Sequence, residues 1–460
     1  MKTKLMNFRK LLQIVALCAF AVSAAEAQTA AELTALKGLA PVTILQKTDD
    51  GKAALAANYI VTGGIETGDV PQPTLLPFAE QQRQALRDAS MTESNLAQLA
   101  DGLGTTLGSA YLARYHYIDQ KHASSMPKSI ADLIHYATSI SGPQSNAGKY
   151  LFANGTTDGK IPVSPEALEI VTSIGGSEDV FGKAYGLPAG TANANPFGDS
   201  RPFQTEKKFV QYVGKDYFNR PAGNIVFNYG PAMDLTESPS YPSGHTTYGY
   251  TGAVLLAVLV PERYSQMIAR GAEYGNDRII VGSHYAMDVM GGRTLALYDL
   301  AHLLANDPAY MGLSIRGATP IKDFQDAVRK ARAELLSVLQ ASCGNTIEAC
   351  ASEDTGRFSS PAANEAFYAV TQTYDLGVVY PKNAGVIEDV AKVAPEAGNL
   401  LTMAFPSLTL DQADRILTET EGPGGGFLDN GSAFGVYSRL NLYAASQRAV
   451  RFSGQPTAGK

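Results

Sequence analysis

The chain is predicted to be all-α, a helical bundle with a C-terminal extension, and three segments carry that expectation. Residues 246–260 (TTYGYTGAVLLAVLV) are apolar on nearly every side and stop at Pro261, as suits a helix buried centrally in a bundle. Residues 323–341 bring Phe324, Val328, Ala331, Leu335 and Leu339 round at intervals of four and three, which gives one buried stripe. Residues 294–305 read as a further buried helix.

Taken from the start, the chain opens on a secretory signal pattern. Lys2, Lys4, Arg9 and Lys10 precede the apolar run from Leu11 to Ala24, and Ala25-Glu26-Ala27 supplies a small-x-small cleavage site. The apolar run is shorter than the ~20 residues a membrane span needs. Residues 1–27 are therefore expected to be removed, Cys18 with them, and the protein to be periplasmic or secreted. Their loss takes away four positive charges and one negative, moving the formal net charge from −7 to about −10. Such an acidic surface disfavours nucleic acid and anionic membrane as general partners. An anionic substrate must then be drawn by a local cluster of Arg and Lys.

The 460 residues are 45% hydrophobic and 18% charged, which suits a globular chain. Residues 186–202 (GLPAGTANANPFGDSRP) read as a long loop. Cys343 and Cys350 close a short loop, CGNTIEAC, for which export favours a structural disulfide. Thr409 with Gln412 suits a capping box for a helix at 410–420. The Gly422–Gly426 run lacks the Lys and Ser/Thr of a phosphate loop and reads as a flexible connection.

The chemistry gathers in three places. In Pro242-Ser243-Gly244-His245 a Ser-Gly pair at a helix start offers unpaired backbone N–H groups to an anion, and His245 stands at the rim. In NDRIIVGSHYAMD, His284 and Asp288 are four apart, so on a helix they share a face. Asp288 can then hold one imidazole nitrogen and leave the other as a nucleophile. Arg278 offers a planar fork for two phosphate oxygens. Upstream, Lys215 with Arg220-Pro221 and Arg201-Pro202-Phe203 are two candidates for a further basic group. His116, His122, His135 and His302 show no spacing with carboxylates or thiols that closes a metal site.

Together these residues resemble the type 2 phosphatidic acid phosphatase superfamily, which includes bacterial non-specific acid phosphatases and vanadium-dependent haloperoxidases. That family's pattern is Lys-x6-Arg-Pro, then Pro-Ser-Gly-His, then Ser-Arg-x5-His-x3-Asp. The second block stands complete at 242–245, and the third as Arg278, His284 and Asp288, with Asp277 in place of Ser. The first block departs: Lys215 and Arg220 are too close, and Arg201 has Ala194 at the lysine spacing.

The resemblance implies a helical phosphatase core with an N-terminal extension over 28–310, and a C-terminal extension of unknown role over 311–460. It also implies an acid phosphatase acting on small phosphate monoesters. Arg278, Ser243, Gly244 and a group among Arg201, Arg220 and Lys215 would bind phosphate. His284 would attack phosphorus, Asp288 would steady the imidazolium, and His245 would serve as acid and then base. With both imidazoles near ~6.5 the optimum is expected at mildly acid pH. No metal and no cofactor is implied. A vanadium haloperoxidase, with vanadate held in the same pocket, is one alternative, and a non-catalytic binding protein on the same fold is another.

Overall fold

The computed structural model describes residues 29–70, 74–91, 95–118, 121–176, 178–206 and 235–453. The signal segment 1–27, Lys215 and Arg220 lie outside the described residues. The helices run α1 (Ala30–Leu39), α2 (Asp49–Thr67), α3 (Phe78–Asp88), α4 (Thr105–Leu112), α5 (Lys128–Asn154), α6 (Pro165–Thr172), α7 (Val180–Ala184), α8 (Pro202–Thr205), α9 (Gly244–Leu259) and α10 (Tyr264–Ile280). They continue as α11 (Ala286–Leu304), α12 (Phe324–Cys343), α13 (Ile347–Ser352), α14 (Pro361–Thr373), α15 (Val390–Val393), α16 (Asn399–Thr402), α17 (Leu410–Glu419), α18 (Ala433–Val436) and α19 (Leu442–Ser453). The expected all-α class holds. Among the described residues the named strands are an antiparallel pair, Tyr115–Ile118 with Lys121–Ser124.

The apolar run at 246–260 becomes α9, whose residues from His245 to Leu259 are all buried. A helix apolar all round must be covered all round, and α5, α10, α11 and α12 cover it. In α12 the buried residues are the anticipated stripe, Phe324, Val328, Ala331, Leu335 and Leu339. Asp323 caps its start, and Gly344, at φ 75°, ends it in the left-handed region that favours glycine. The Cys343–Cys350 disulfide joins the end of α12 to α13. Thr409 and Gln412 make the expected capping box for α17.

Two elements differ from expectation. The helix anticipated at 294–305 begins earlier, at Ala286. The glycine run at 422–426 is a connection, but a tied one. Gly425 O accepts from Val379 N and Tyr380 N at 2.8 and 2.9 Å, and Gly425 N donates to Asp429 Oδ2 at 2.6 Å.

One buried hydrophobic cluster runs from Ala35 to Ala449. In the last part of the chain α14 and α19 pack on α10, α16 on α11, and α12 on α5 and α9. Arg293 of α11 fastens this part from inside, donating to Thr371 O, Gln372 O and Ser438 O at 3.0 to 3.1 Å. Among the described residues no helix is long and apolar enough to cross a membrane.

Candidate active site

The site lies where the N-termini of α9 and α11 meet. Ser243 is the N-cap of α9, and its Oγ accepts from Thr246 N at 3.2 Å. The Tyr241–Pro242 peptide before it is cis. Ser243 N donates to Asp288 O at 3.1 Å, which ties the start of α9 to the first turn of α11. The close approach needs Gly292, where a Cβ would meet Ser243 O at 2.5 Å. The first turn of α11 is held in turn by α2. Thr62 Oγ1 accepts from Ala286 N at 3.1 Å and Asn58 Oδ1 from Met287 N at 3.0 Å, so orphan amides of the helix end find acceptors.

His284 stands just ahead of α11, not on it, which corrects the expectation of a shared helical face with Asp288. Tyr285 is the N-cap and Asp288 sits one turn in. The contact is nevertheless made across the helix start. His284 Nδ1 lies 3.1 Å from Asp288 Oδ2, which also accepts from Tyr285 N at 2.9 Å and from Ser240 Oγ. On its other side His284 Nε2 lies 3.0 Å from Arg201 Nη1. A guanidinium only donates, so Nε2 carries the lone pair and Nδ1 the proton that goes to Asp288. That is the tautomer a nucleophilic imidazole needs.

Arg201 therefore belongs to the site. Its remaining hydrogen bonds, to Ser238 O, Ser238 Oγ, Pro239 O and Ser283 O at 2.7 to 3.1 Å, fix the guanidinium in place. Arg278 is fully buried beside it. Its Nη2 donates to Ser283 Oγ at 3.3 Å, whereas Nε and Nη1 have no partner among the described residues. Lys149 of α5 is a third cation, and the sequence reading missed it. It is 6% exposed and donates to Pro239 O at 3.0 Å and Ser240 O at 3.3 Å. No motif marks it.

The imidazoles of His245 and His284 share this environment. Burial first, then Arg278, Arg201 and Lys149, holds His245 well below the usual histidine range. Burial, then Arg201, Lys149, Arg278 and His245 itself, does the same to His284. The expectation that both titrate near 6.5 is thereby corrected. Asp288 is pushed up to about 7 by burial, against the hydrogen bonds from Ser240 and Tyr285 and the charges of Lys149 and Arg201. Arg201 is pulled down to about 9, chiefly by burial.

One further expectation changes, and Asp277 and His302 find partners that the sequence did not indicate. Ser243 N is committed to Asp288 O, so the first-turn amides left for an anion are those of Gly244 and His245. Asp277, in the place of the family's serine, turns away from the pocket and accepts from Gln81 Nε2 at 2.7 Å. His302 does have carboxylates: Nδ1 lies 2.7 Å from Asp307 Oδ2 and Nε2 lies 3.5 Å from Glu396 Oε1, and the ring stacks on Tyr310. Among the described residues no three His, Cys, Asp or Glu side chains gather as metal ligands.

Residues 207–305 match the family model of the PAP2 superfamily. That stretch is similar to the PAP2 superfamily. The match takes in His245, Arg278, His284 and Asp288, while Lys149 and Arg201 lie outside it. A non-specific acid phosphatase of Salmonella typhimurium is 32% identical over 126 residues, which are 26% of this chain and 44% of that protein. An acid phosphatase of Zymomonas mobilis is 41% identical over 69 residues, 15% of this chain and 26% of that protein. A non-specific acid phosphatase of Providencia stuartii is 28% identical over 143 residues, 29% of this chain and 56% of that protein. The chain thus spans about half or less of the length of these relatives.

Proposed function

We propose that the protein is an exported acid phosphatase that hydrolyses small phosphate monoesters through a phosphohistidine. The observation that carries this reading is Arg278. A fully buried guanidinium with two nitrogens unpaired, beside two further buried cations and two imidazoles, is costly unless an anion accepts from it. A tetrahedral oxyanion meets that need, with Arg278 and the Gly244 and His245 amides as donors and Arg201 as a neighbouring fixed charge. The acid phosphatase relatives supply the substrate class.

In the reaction, His284 Nε2 attacks phosphorus in line and the P–O bond to the alcohol breaks. His245 gives its proton to the departing oxygen. Asp288 steadies the charge on the phosphorylated imidazole through Nδ1–H. His245, now neutral, takes a proton from water, whose oxygen attacks phosphorus and breaks the P–N bond, releasing phosphate. A free pocket holding His245 neutral suits the second half. The first half needs the substrate's negative charge to raise its proton affinity. The scheme runs on side chains alone, so activity is expected to persist with a chelator present.

The test is phosphate release from p-nitrophenyl phosphate by the protein lacking residues 1–27, with and without His284→Ala. Turnover lost by about 10^4-fold or more in a folded variant is the expected result. Retained turnover removes His284 as nucleophile. Halide oxidation by peroxide after vanadate loading, with no phosphatase activity, replaces this reading by the haloperoxidase one.

A further inference from the structure

We propose that Lys149 is the third cation of the oxyanion pocket and binds the anion directly, in the place for which the chain has no lysine beside Arg201. This rests on the phosphatase reading only for the identity of the anion. The position ahead of Arg201 at the family's lysine spacing is Ala194, and Lys149 lies on α5, before the long loop and outside the stretch that matches the family.

Three observations carry the assignment. The first is the nature of the burial. A lysine this deep is ordinarily paired with a carboxylate, yet among the described residues Lys149 forms no ion pair, and its two hydrogen bonds go to neutral carbonyls. An ammonium has three donors, so one is left. The second is location. Pro239 O accepts from both Lys149 Nζ and Arg201 Nη2, and Ser240, whose O accepts from Lys149, donates its Oγ to Asp288, so the ammonium stands one residue away from both site groups. The third is how it gets there. Gly148 lets the α5 backbone close on the loop before α9, since a Cβ there would stand 3.1 Å from Pro242 Cδ. The carbonyls of Pro239 and Ser240 then hold the ammonium at the loop that also carries Arg201's partners, Ser238 and Pro239.

A like-charged cluster of this kind is relieved when an oxyanion enters. Burial, with Arg201 and Arg278, pulls the Lys149 ammonium well below the usual lysine range in the free pocket, and a bound anion favours its charged form. A lysine that only props the 239–240 loop has no reason to show this dependence.

The experiment measures orthovanadate affinity by calorimetry, and its inhibition of p-nitrophenyl phosphate hydrolysis, for the full mature chain, Lys149→Met and Lys149→Arg between pH 6 and 9. Lys149→Met is expected to weaken vanadate about thirty-fold at pH 6, and Lys149→Arg to keep the affinity within about five-fold. The ratio of wild-type to Lys149→Met affinity, in which vanadate's own titration cancels, should fall as pH rises. The corresponding ratio for Lys149→Arg should hold to higher pH, because arginine keeps its proton. Lys149→Met within about three-fold of wild type overturns the proposal, and so does the same loss in Lys215→Met with Lys149→Met unaffected. If Lys149→Met does not fold, Lys149→Arg decides: an unchanged pH dependence rejects direct binding. A wild-type protein that neither binds vanadate nor hydrolyses the ester removes the phosphatase reading and this inference with it. Normal wild-type activity with an indifferent Lys149→Met removes the inference alone.

Discussion

Helix α10 carries two buried charged clusters on adjacent residues, and they are built on opposite principles. On one side Arg270 donates to Asp101 and Asp88 at 2.7 Å and lies 3.4 Å from Glu273. Arg357 meets Glu273 and Asp101 at 2.6 to 2.8 Å, and Arg87 meets Asp101 at 2.9 Å. Burial works against the charge of Asp101, but Arg270, Arg357 and Arg87 together hold its carboxyl well below the usual range. Asp277 is pushed well above that range by burial and by Asp88 and Glu273, which leaves it neutral among three arginines and three carboxylates. That cluster balances itself. On the other side of the same helix Arg278, Arg201 and Lys149 face Asp288, which is already bound to His284, Tyr285 and Ser240. That cluster does not balance. The difference separates a structural network from a binding site without appeal to sequence motifs: the first pairs its guanidinium groups with carboxylates, and the second leaves Arg278 without one among the described residues.

Four measurements sharpen or break this contrast. Arg278→Ala should lower kcat/KM for p-nitrophenyl phosphate by about 10^2- to 10^3-fold, the cost of losing one preorganised donor, with thermal stability unchanged or raised. A large loss of stability instead would place Arg278 among the structural ions. Arg270→Ala should do the reverse, costing about 3–5 kcal/mol in urea unfolding because three carboxylates lose their buried partner. A variant of near wild-type stability would show the acidic cluster to be slack.

The third measurement is proton linkage. Both imidazoles are held well below 6.5 in the free pocket, chiefly by burial and then by the cations around them. A bound anion raises them, so vanadate binding at about pH 6 should take up protons, and affinity should rise as pH falls below neutrality. Calorimetry in two buffers of different ionisation enthalpy reads this directly, and proton release at that pH contradicts it. The smallest effect belongs to Asp277→Asn. The folded chain keeps the Asp277 proton that the unfolded chain releases above ~3.9, so rising pH favours unfolding of the wild type at this position. The amide variant should lie within about 1 kcal/mol of wild type near pH 4 and gain on it as pH rises toward 8. A loss that grows with pH would mean that Asp277 is charged.

Much of the site was legible because its signals are short-range. His284 and Asp288 meet whether or not a helix runs between them, since four residues cannot separate far, and the Ser243 cap and the 409–412 box are likewise local. The error over Ser243 N has the opposite origin. Its acceptor, Asp288 O, lies on another helix, and only the packing at Gly292 brings the two together. Arg201 and Arg220 carried similar credentials in the sequence, and it was the hydrogen bond to His284 that placed Arg201. Lys149 left no mark at all, because a lone lysine on a helix is ordinarily a surface residue.

By itself the sequence determined the helical class, the central place of α9, the stripe of α12, the cysteine pair and the identity of two imidazoles, one guanidinium and one carboxylate. The elements follow from periodicity, capping and spacing, which act over a turn or two of chain, and the site groups from the family pattern that their short motifs resemble. The tertiary structure alone decided which cations surround those groups, which tautomer His284 adopts and which amides remain for an anion. Those properties depend on segments far apart in the chain being pressed to within hydrogen-bonding distance, and burial then sets how strongly each charge is felt.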